Sequence, residues 1–206
     1  MSRESSESLF NFIAPVYRLF YHTQKRQFSK VLRDAAAELD LTAYQTVLDV
    51  GCGTGALCAV LHSSGLKTTG VDTSQGMLHT AIRNPENRGV DFQITAAGKA
   101  LPFPDKHFDI SIASYVAHGM GQAERKRLYT EMSRVSRHKV IIYDYNQNRR
   151  PLTSLIEWLE RGDYFRFIKT AETEMRDCLS EMGACFASVR VIGVGDHAAW
   201  YVCDPR

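Results

Sequence analysis

Between residues 46 and 143, short β-branched runs alternate with stretches of helical spacing, and no other feature of the 206-residue chain restricts its fold as tightly. Thr46–Val50, Thr68–Val71, Val90–Ile94, Phe108–Ala113 and Lys139–Tyr143 read as strands, and Ala56–Ser63, Ser74–Arg83 and Gln122–Ser136 as helices between them. That alternation predicts a parallel sheet joined by helical crossovers. The last third departs from it. Leu152–Glu160 and Thr170–Met182 have helical spacing, after which Ser188–Ile192 and Ala198–Cys203 are strands joined only by GVGDHA. A link so short permits an antiparallel pair and nothing else. The expected architecture is α/β: a seven-stranded, mostly parallel sheet with an antiparallel C-terminal strand pair and helices on both faces. Ahead of it, Leu9–Phe20 carries Phe10, Ile13, Val16, Tyr17 and Phe20 at helical spacing, interrupted by Pro15, and Gln24–Leu39 carries Phe28, Leu32, Ala35 and Ala36. The chain thus divides into an N-terminal helical cap (1–44), a core (45–146), a helical insertion (147–185) and a terminal strand hairpin (186–206), all within one domain.

The first strand meets the first crossover helix in VLDVGCGTGALCAVL, residues 47–61, where Gly51, Gly53 and Gly55 replace side chains just as the chain must turn. Glycine inside an element is unfavourable by roughly 0.5–1 kcal/mol against alanine, so three together imply a close approach to this backbone. Two ligand classes use such a turn. The dinucleotide fingerprint G-x-G-x-x-G/A fits Gly51, Gly53 and Ala56, while the full spacing is D-x-G-x-G-x-G, opening at Asp49.

The D-x-G-x-G-x-G spacing resembles motif I of the class I S-adenosylmethionine-dependent methyltransferases, and further segments extend the resemblance. GVDTSQGML, residues 70–78, is similar to the family's second motif. AAGKALPFPDKHFDISIAS, residues 96–114, is similar to its G-D-A-x-x-L-P-F-x-x-x-x-F-D segment. FNFIAPVYRLF, residues 10–20, is similar to the F-D-x-I-A-x-x-Y opening of the subgroup that includes ubiquinone- and menaquinone-biosynthesis methyltransferases. The resemblance covers roughly Phe10 to Cys203 and implies a Rossmann-like fold that binds S-adenosyl-L-methionine and releases S-adenosyl-L-homocysteine. It places Asp49, Gly51, Cys52, Gly53 and Gly55 in the cofactor loop. Asp72 accepts the ribose hydroxyls, Thr73 follows it, Ser74 caps the next helix and Met77 lies against adenine. Ala97 and Gly98 flank the adenine edge, Ser114 ends the strand that closes over the methionine part, and Tyr17 reaches the methionine end. Two departures stand out. Ala97 replaces the acid that ordinarily accepts from the adenine amino group, and Arg134-Val-Ser-Arg-His-Lys replaces the family's K-P-G-G turn before the fifth strand.

Methyl transfer from a sulfonium is an in-line displacement, so alignment and exclusion of water matter more than a catalytic triad or a metal. A base is required only for an acceptor that arrives protonated. Open α/β sheets hold ligands at the carboxyl ends of their strands. The candidates there are Tyr115 and His118 after the fourth strand, and Tyr143, Asp144 and Tyr145 at the end of the fifth. Tyr17, Tyr21 and His22 lie on the N-terminal helices. Of these, Tyr115, His118 and Asp144 are the catalytic expectation. Trp158, Tyr164, Phe165 and Phe167 in the insertion would either line an apolar acceptor pocket or anchor the segment to the core. The partner is a small-molecule acceptor, with a homodimer left open. A net charge of +2 with only short basic clusters argues against nucleic acid. No apolar run nears the ~20 residues that span a bilayer. The polar first eight residues lack a secretory pattern, and five cysteines without a C-x-x-C pair predict reduced thiols in the cytoplasm. Seven histidines without H-x-E or H-E-x-x-H spacing predict no metal site. A nicotinamide-dependent oxidoreductase and a cofactor-binding regulator without turnover remain the alternatives.

Overall fold

The computed structural model describes residues 20–95, 100–145, 178–195 and 198–206. A helix, α1, runs over 20–35, followed by β1 (Thr46–Val50), α2 (Ala56–Ser63), β2 (Lys67–Asp72), α3 (Gln75–Arg83) and β3 (Asp91–Ile94). Then come β4 (Phe108–Ser114), α4 (Gln122–Val135), β5 (Ser136–Tyr145), α5 (178–185), β6 (Ser188–Gly193) and β7 (Ala198–Asp204). The strands form one seven-stranded sheet in the order β3-β2-β1-β4-β5-β7-β6. β1 pairs in parallel with β2 and β4, β2 with β3, and β4 with β5. β7 runs antiparallel to both β5 and β6. The order reverses between β1 and β4, which makes the carboxyl ends of those two strands the ligand crevice of a doubly wound sheet.

The apolar side chains alternate faithfully across the sheet. Leu48 and Val50, Ala113, Val140 and Ile142, and Ala199 and Tyr201 face α4 and α5, which contribute Tyr129, Met132, Val135, Cys178, Met182 and Phe186 beyond the helix end. Val47, Ile110 and Ile112, Ile141 and Tyr143, and Trp200 and Val202 face α1 and α2, which contribute Val31, Ala35, Leu57 and Leu61. Strands covered on both faces carry apolar residues on both, and the buried centres of β1 (Val47–Val50), β4 (Ile110–Ala113) and β5 (Val140–Tyr143) are mostly apolar accordingly. All five cysteines are buried thiols.

Strand ends shift by a residue or more from the sequence expectation, and two boundary differences have a visible cause. Helix α1 is continuous from 20 to 35 and stops before Leu39, because Asp40 caps a 3₁₀ turn at Leu41–Ala43 by accepting the Thr42 N–H at 2.9 Å. Ser136 opens β5 instead of closing α4. Its hydroxyl donates to buried Ser111 Oγ at 2.7 Å, and α4 passes into the strand with no intervening loop, as the glycine-free Arg134–Lys139 stretch requires. The predicted helix over Leu152–Glu160 lies outside the described residues, as does the first part of Thr170–Met182; the described part, α5, continues to Cys185. Among the described residues no helix is long and apolar enough to cross a membrane.

Candidate functional site

The three glycines of the β1–α2 turn serve different ends. A Cβ on Gly51 would sit 2.5 Å from Val116 Cγ2, and one on Gly55 would sit 2.5 Å from Asn87 Nδ2, so both are excluded by the protein's own packing. A Cβ on Gly53 meets nothing within 4 Å. All three have positive φ, between 53° and 80°, where an L side chain is strained. Of the three, Gly53 alone opens onto space that a ligand could fill.

The turn's N–H groups point inward. Gly51 and Cys52 both donate to the Val71 carbonyl, at 2.8 and 3.0 Å, Gly55 donates to Cys52 O at 2.9 Å, and Gly53 donates to Asp72 Oδ2 at 2.8 Å. A dinucleotide pyrophosphate needs such donors directed at it. These four are engaged internally, and the sheet holds an antiparallel strand where a nicotinamide-dependent oxidoreductase predicts an all-parallel one. Asp72 closes β2 and reaches back over the turn. One carboxylate oxygen takes the Gly53 N–H and the other the Ser74 N–H at 2.8 Å, and the Thr73 N–H bonds the same carboxylate. Burial raises its pKa, against the pull of those N–H bonds. Ser74 caps α3 by accepting from the Met77 N–H at 3.2 Å, and Met77 is buried in the first turn.

Asp49 lies one layer deeper, 1% exposed. Its Oδ2 accepts from the Cys58 thiol at 3.1 Å, and its Oδ1 is buried without a partner. Burial pushes its pKa up to about 7, with the Asp72 charge adding to the effect. The Cys52 side chain packs into the same small cluster with Cys58 and Leu78, so only its backbone belongs to the turn's surface. Ser114, at the end of β4, also has a buried hydroxyl with no partner. Open space at Gly53, a carboxylate beside it and an under-bonded carboxyl beneath them suit a nucleoside that carries positive charge.

Across the crevice, β4 leads into Tyr115, held at φ 55°, an uncommon backbone state for a bulky residue and one that concentrates at functional sites. Its N–H donates to Tyr143 O at 2.8 Å. Val116 then packs on Gly51, and the 3₁₀ turn Ala117–Gly119 presents His118. Asp144, 3% exposed at the end of β5, accepts twice from that residue: Oδ1 from the Nδ1–H at 3.0 Å and Oδ2 from the backbone N–H at 3.1 Å. Tyr145 N–H adds a third bond to Oδ1 at 2.9 Å. Tyr115 stacks obliquely on Tyr143 and Tyr145, with ring centroids 4.8 and 5.1 Å apart, and His118 meets Tyr145 edge-on at 5.0 Å. Burial drives the Tyr115 and Tyr143 phenols upward in pKa, so both stay protonated. The His118 side chain keeps 19% exposure, enough to meet a ligand.

The structure therefore gathers Asp49, Gly51, Cys52, Gly53, Gly55, Asp72, Met77, Ser114, Tyr115, His118 and Asp144 at one end of β1, β2, β4 and β5. Tyr17, Ala97, Gly98, Trp158, Tyr164, Phe165 and Phe167 lie outside the described residues. Sequence reasoning missed Val116 and Asn87, which shape the turn from behind. Neither belongs to a motif, and an asparagine after Asn84-Pro-Glu reads as ordinary turn chemistry. Among the described residues no group of three His, Cys, Asp or Glu could hold a metal ion.

Comparison with known proteins agrees with this geometry. Residues 47–139 match a methyltransferase domain family. An uncharacterised methyltransferase of Bacillus licheniformis is 28% identical over 171 residues, covering 79% of this chain and 78% of that protein. A demethylmenaquinone methyltransferase of Paenarthrobacter aurescens is 28% identical over 207 residues, covering 96% and 76%. Two relatives that are more identical over shorter stretches, 40% and 43%, are matched across only 35% and 32% of their own length. The structure of human N-acetylserotonin methyltransferase in complex with S-adenosylmethionine shares the fold, with a TM-score of 0.67 at 18% identity over 97% of this chain and 57% of that one. Over residues 47–139, a little under half of the chain, the sequence is thus similar to methyltransferase domains.

Proposed function

We propose that the protein transfers a methyl group from S-adenosyl-L-methionine to a small-molecule acceptor that arrives protonated, with His118 as the base and Asp144 as its orienting partner. The observation that carries this reading is the paired contact of Asp144 with the ring and the backbone of His118, in the same crevice as the glycine turn. When bound, the cofactor supplies an electrophilic methyl on a sulfonium, a group that needs no activation by the protein. Gly53 and Asp72 would hold its nucleoside, Met77 would underlie the adenine, and Asp49 and Ser114 would set the polarity beneath the methionine end.

The chain's own residues do the rest. Asp144 keeps the Nδ1 hydrogen directed at itself, so the imidazole's lone pair is on Nε2. Its second oxygen, bonded to the His118 N–H, fixes the turn that carries the ring. The neutral imidazole takes the proton of an acceptor hydroxyl or ammonium, and the buried carboxylate stabilises the imidazolium that results. Tyr115, Tyr143 and Tyr145 form an apolar wall that excludes water and orients the acceptor. The residues that would hold the cofactor fall within 45–146, and β6 and β7 complete the sheet.

Incubation with isotopically labelled S-adenosylmethionine and a small-molecule extract, followed by mass spectrometry, tests the reading. A metabolite that gains one labelled methyl is expected. His118→Gln should then lower turnover by about 10²–10⁴-fold while S-adenosylmethionine affinity holds. Unchanged turnover in that variant removes the base from the account.

A further inference from the structure

We propose that Asn87 is a positioning residue that locks the glycine turn and fastens helix α1 to it, so that cofactor affinity depends on a hydrogen bond made from the N-terminal helix. The inference rests on the cofactor lying at that turn.

Asn87 is 3% exposed, in the short 3₁₀ turn Pro85–Asn87 that follows α3. Its amide is fully used. Nδ2 donates to the carbonyls of Thr54 at 3.0 Å and Ala81 at 2.9 Å, and Oδ1 accepts from the Tyr21 hydroxyl at 2.7 Å. The reversed amide would set an oxygen against two carbonyls, so only this orientation satisfies every group. Thr54 itself is 3% exposed and lies between Gly53 and Gly55. The turn is thus held from two sides, Gly53 through its N–H by Asp72 and Thr54 through its carbonyl by Asn87. The space behind Gly55 is filled by the same amide.

On its other side Asn87 holds α1. Tyr21 is 2% exposed and packs on Ala56 and Ala59 at the start of α2, with its hydroxyl on Asn87. The neighbouring Glu86 takes Lys25 as an ion pair and lies 3.4 Å from His22 Nδ1. Three side chains of α1 therefore converge on one short turn, and Asn87 is the member that passes the contact on to the cofactor loop. Helix α1 also touches the acceptor side, where Phe28 meets Tyr143 edge-on at 6.0 Å. Seating of this helix and ordering of the cofactor turn are consequently one event.

Titration calorimetry with S-adenosylmethionine on the full chain tests this, alongside thermal unfolding and amide exchange at Gly53–Gly55. Tyr21→Phe removes one oxygen and keeps the ring, so it should fold normally, weaken binding about 3- to 10-fold and speed exchange at the turn. Asn87→Asp, which faces two carbonyls with an acceptor, should weaken binding on the order of 10-fold or more. Should Asn87→Asp fail to fold, Tyr21→Phe alone decides. A lowered melting temperature with affinity within twofold of wild type assigns both residues a merely structural role and overturns the proposal. Absence of binding by the wild-type chain would overturn the cofactor placement itself, a result distinct from equal binding by wild type and variants.

Discussion

Asp49 is a deeply buried carboxyl beneath the glycine turn. Its carboxyl is raised to about 7 by burial and holds one thiol bond for two oxygens. Between the ordinary carboxylate pKa and 7, the unfolded chain has lost this proton and the folded chain keeps it. Folding stability therefore falls as pH rises through that window and levels off above it, by about 1.4 kcal/mol per pH unit at most. Asp49→Asn should remove this slope from the ligand-free protein, so the melting temperature of the variant gains on wild type from pH 4 to 7. Parallel pH profiles would contradict the assignment. The glycines separate in the same way. Gly53→Ala should fold, at a cost of about 1–2 kcal/mol for its left-handed backbone, yet lose S-adenosylmethionine affinity. Gly51→Ala should lose stability further, because Val116 has no room for the methyl group. Thermal unfolding with calorimetric titration separates the two. The need for three glycines was legible in the sequence; their division of labour was not, since Val116 and Asn87 reach the turn from 65 and 32 positions beyond Gly51 and Gly55.

At the level of elements, α4 and α5 frame the His118 turn through a single arginine. Arg125 makes a two-pronged pair with Glu181, at 2.9 and 3.2 Å, and donates to the Met120 carbonyl at 2.6 Å. The pairing is nearly buried on both sides, 9% and 9% exposed. Glu181→Ala should destabilise the fold by about 3–5 kcal/mol in urea titration, because it leaves a guanidinium unpaired in the interior. Exchanging both residues for Met and Leu should restore stability while the loosened Met120 carbonyl lowers turnover. The strands and crossover helices were readable because apolar period and turn residues agree locally in each. The ends of α1 and α4 were not, because each is set elsewhere: by the Asp40 cap in one case and by Ser136 pairing with Ser111 in the other. Likewise, His118 and Asp144 are 26 positions apart, and only the β4–β5 register brings them together.

For the molecule as a whole, strand order decides where chemistry can occur. The reversal between β1 and β4 opens one crevice, with the Asp72 carboxylate on the β2 side and the His118–Asp144 pair on the β5 side. Binding there acts on the folded state alone, so S-adenosylmethionine at a hundred times its Kd should stabilise the protein by about 2.7 kcal/mol, raising the melting temperature by about 5–10 °C for a chain of this size. The most direct test is a crystal structure grown with saturating S-adenosyl-L-homocysteine. The account predicts density along the Gly53 turn, with the ribose hydroxyls on the two oxygens of Asp72 and the homocysteine sulfur directed toward the crevice that His118 borders. A nucleoside bound elsewhere on the sheet, or lying in this crevice with its ribose turned away from Asp72, would contradict it.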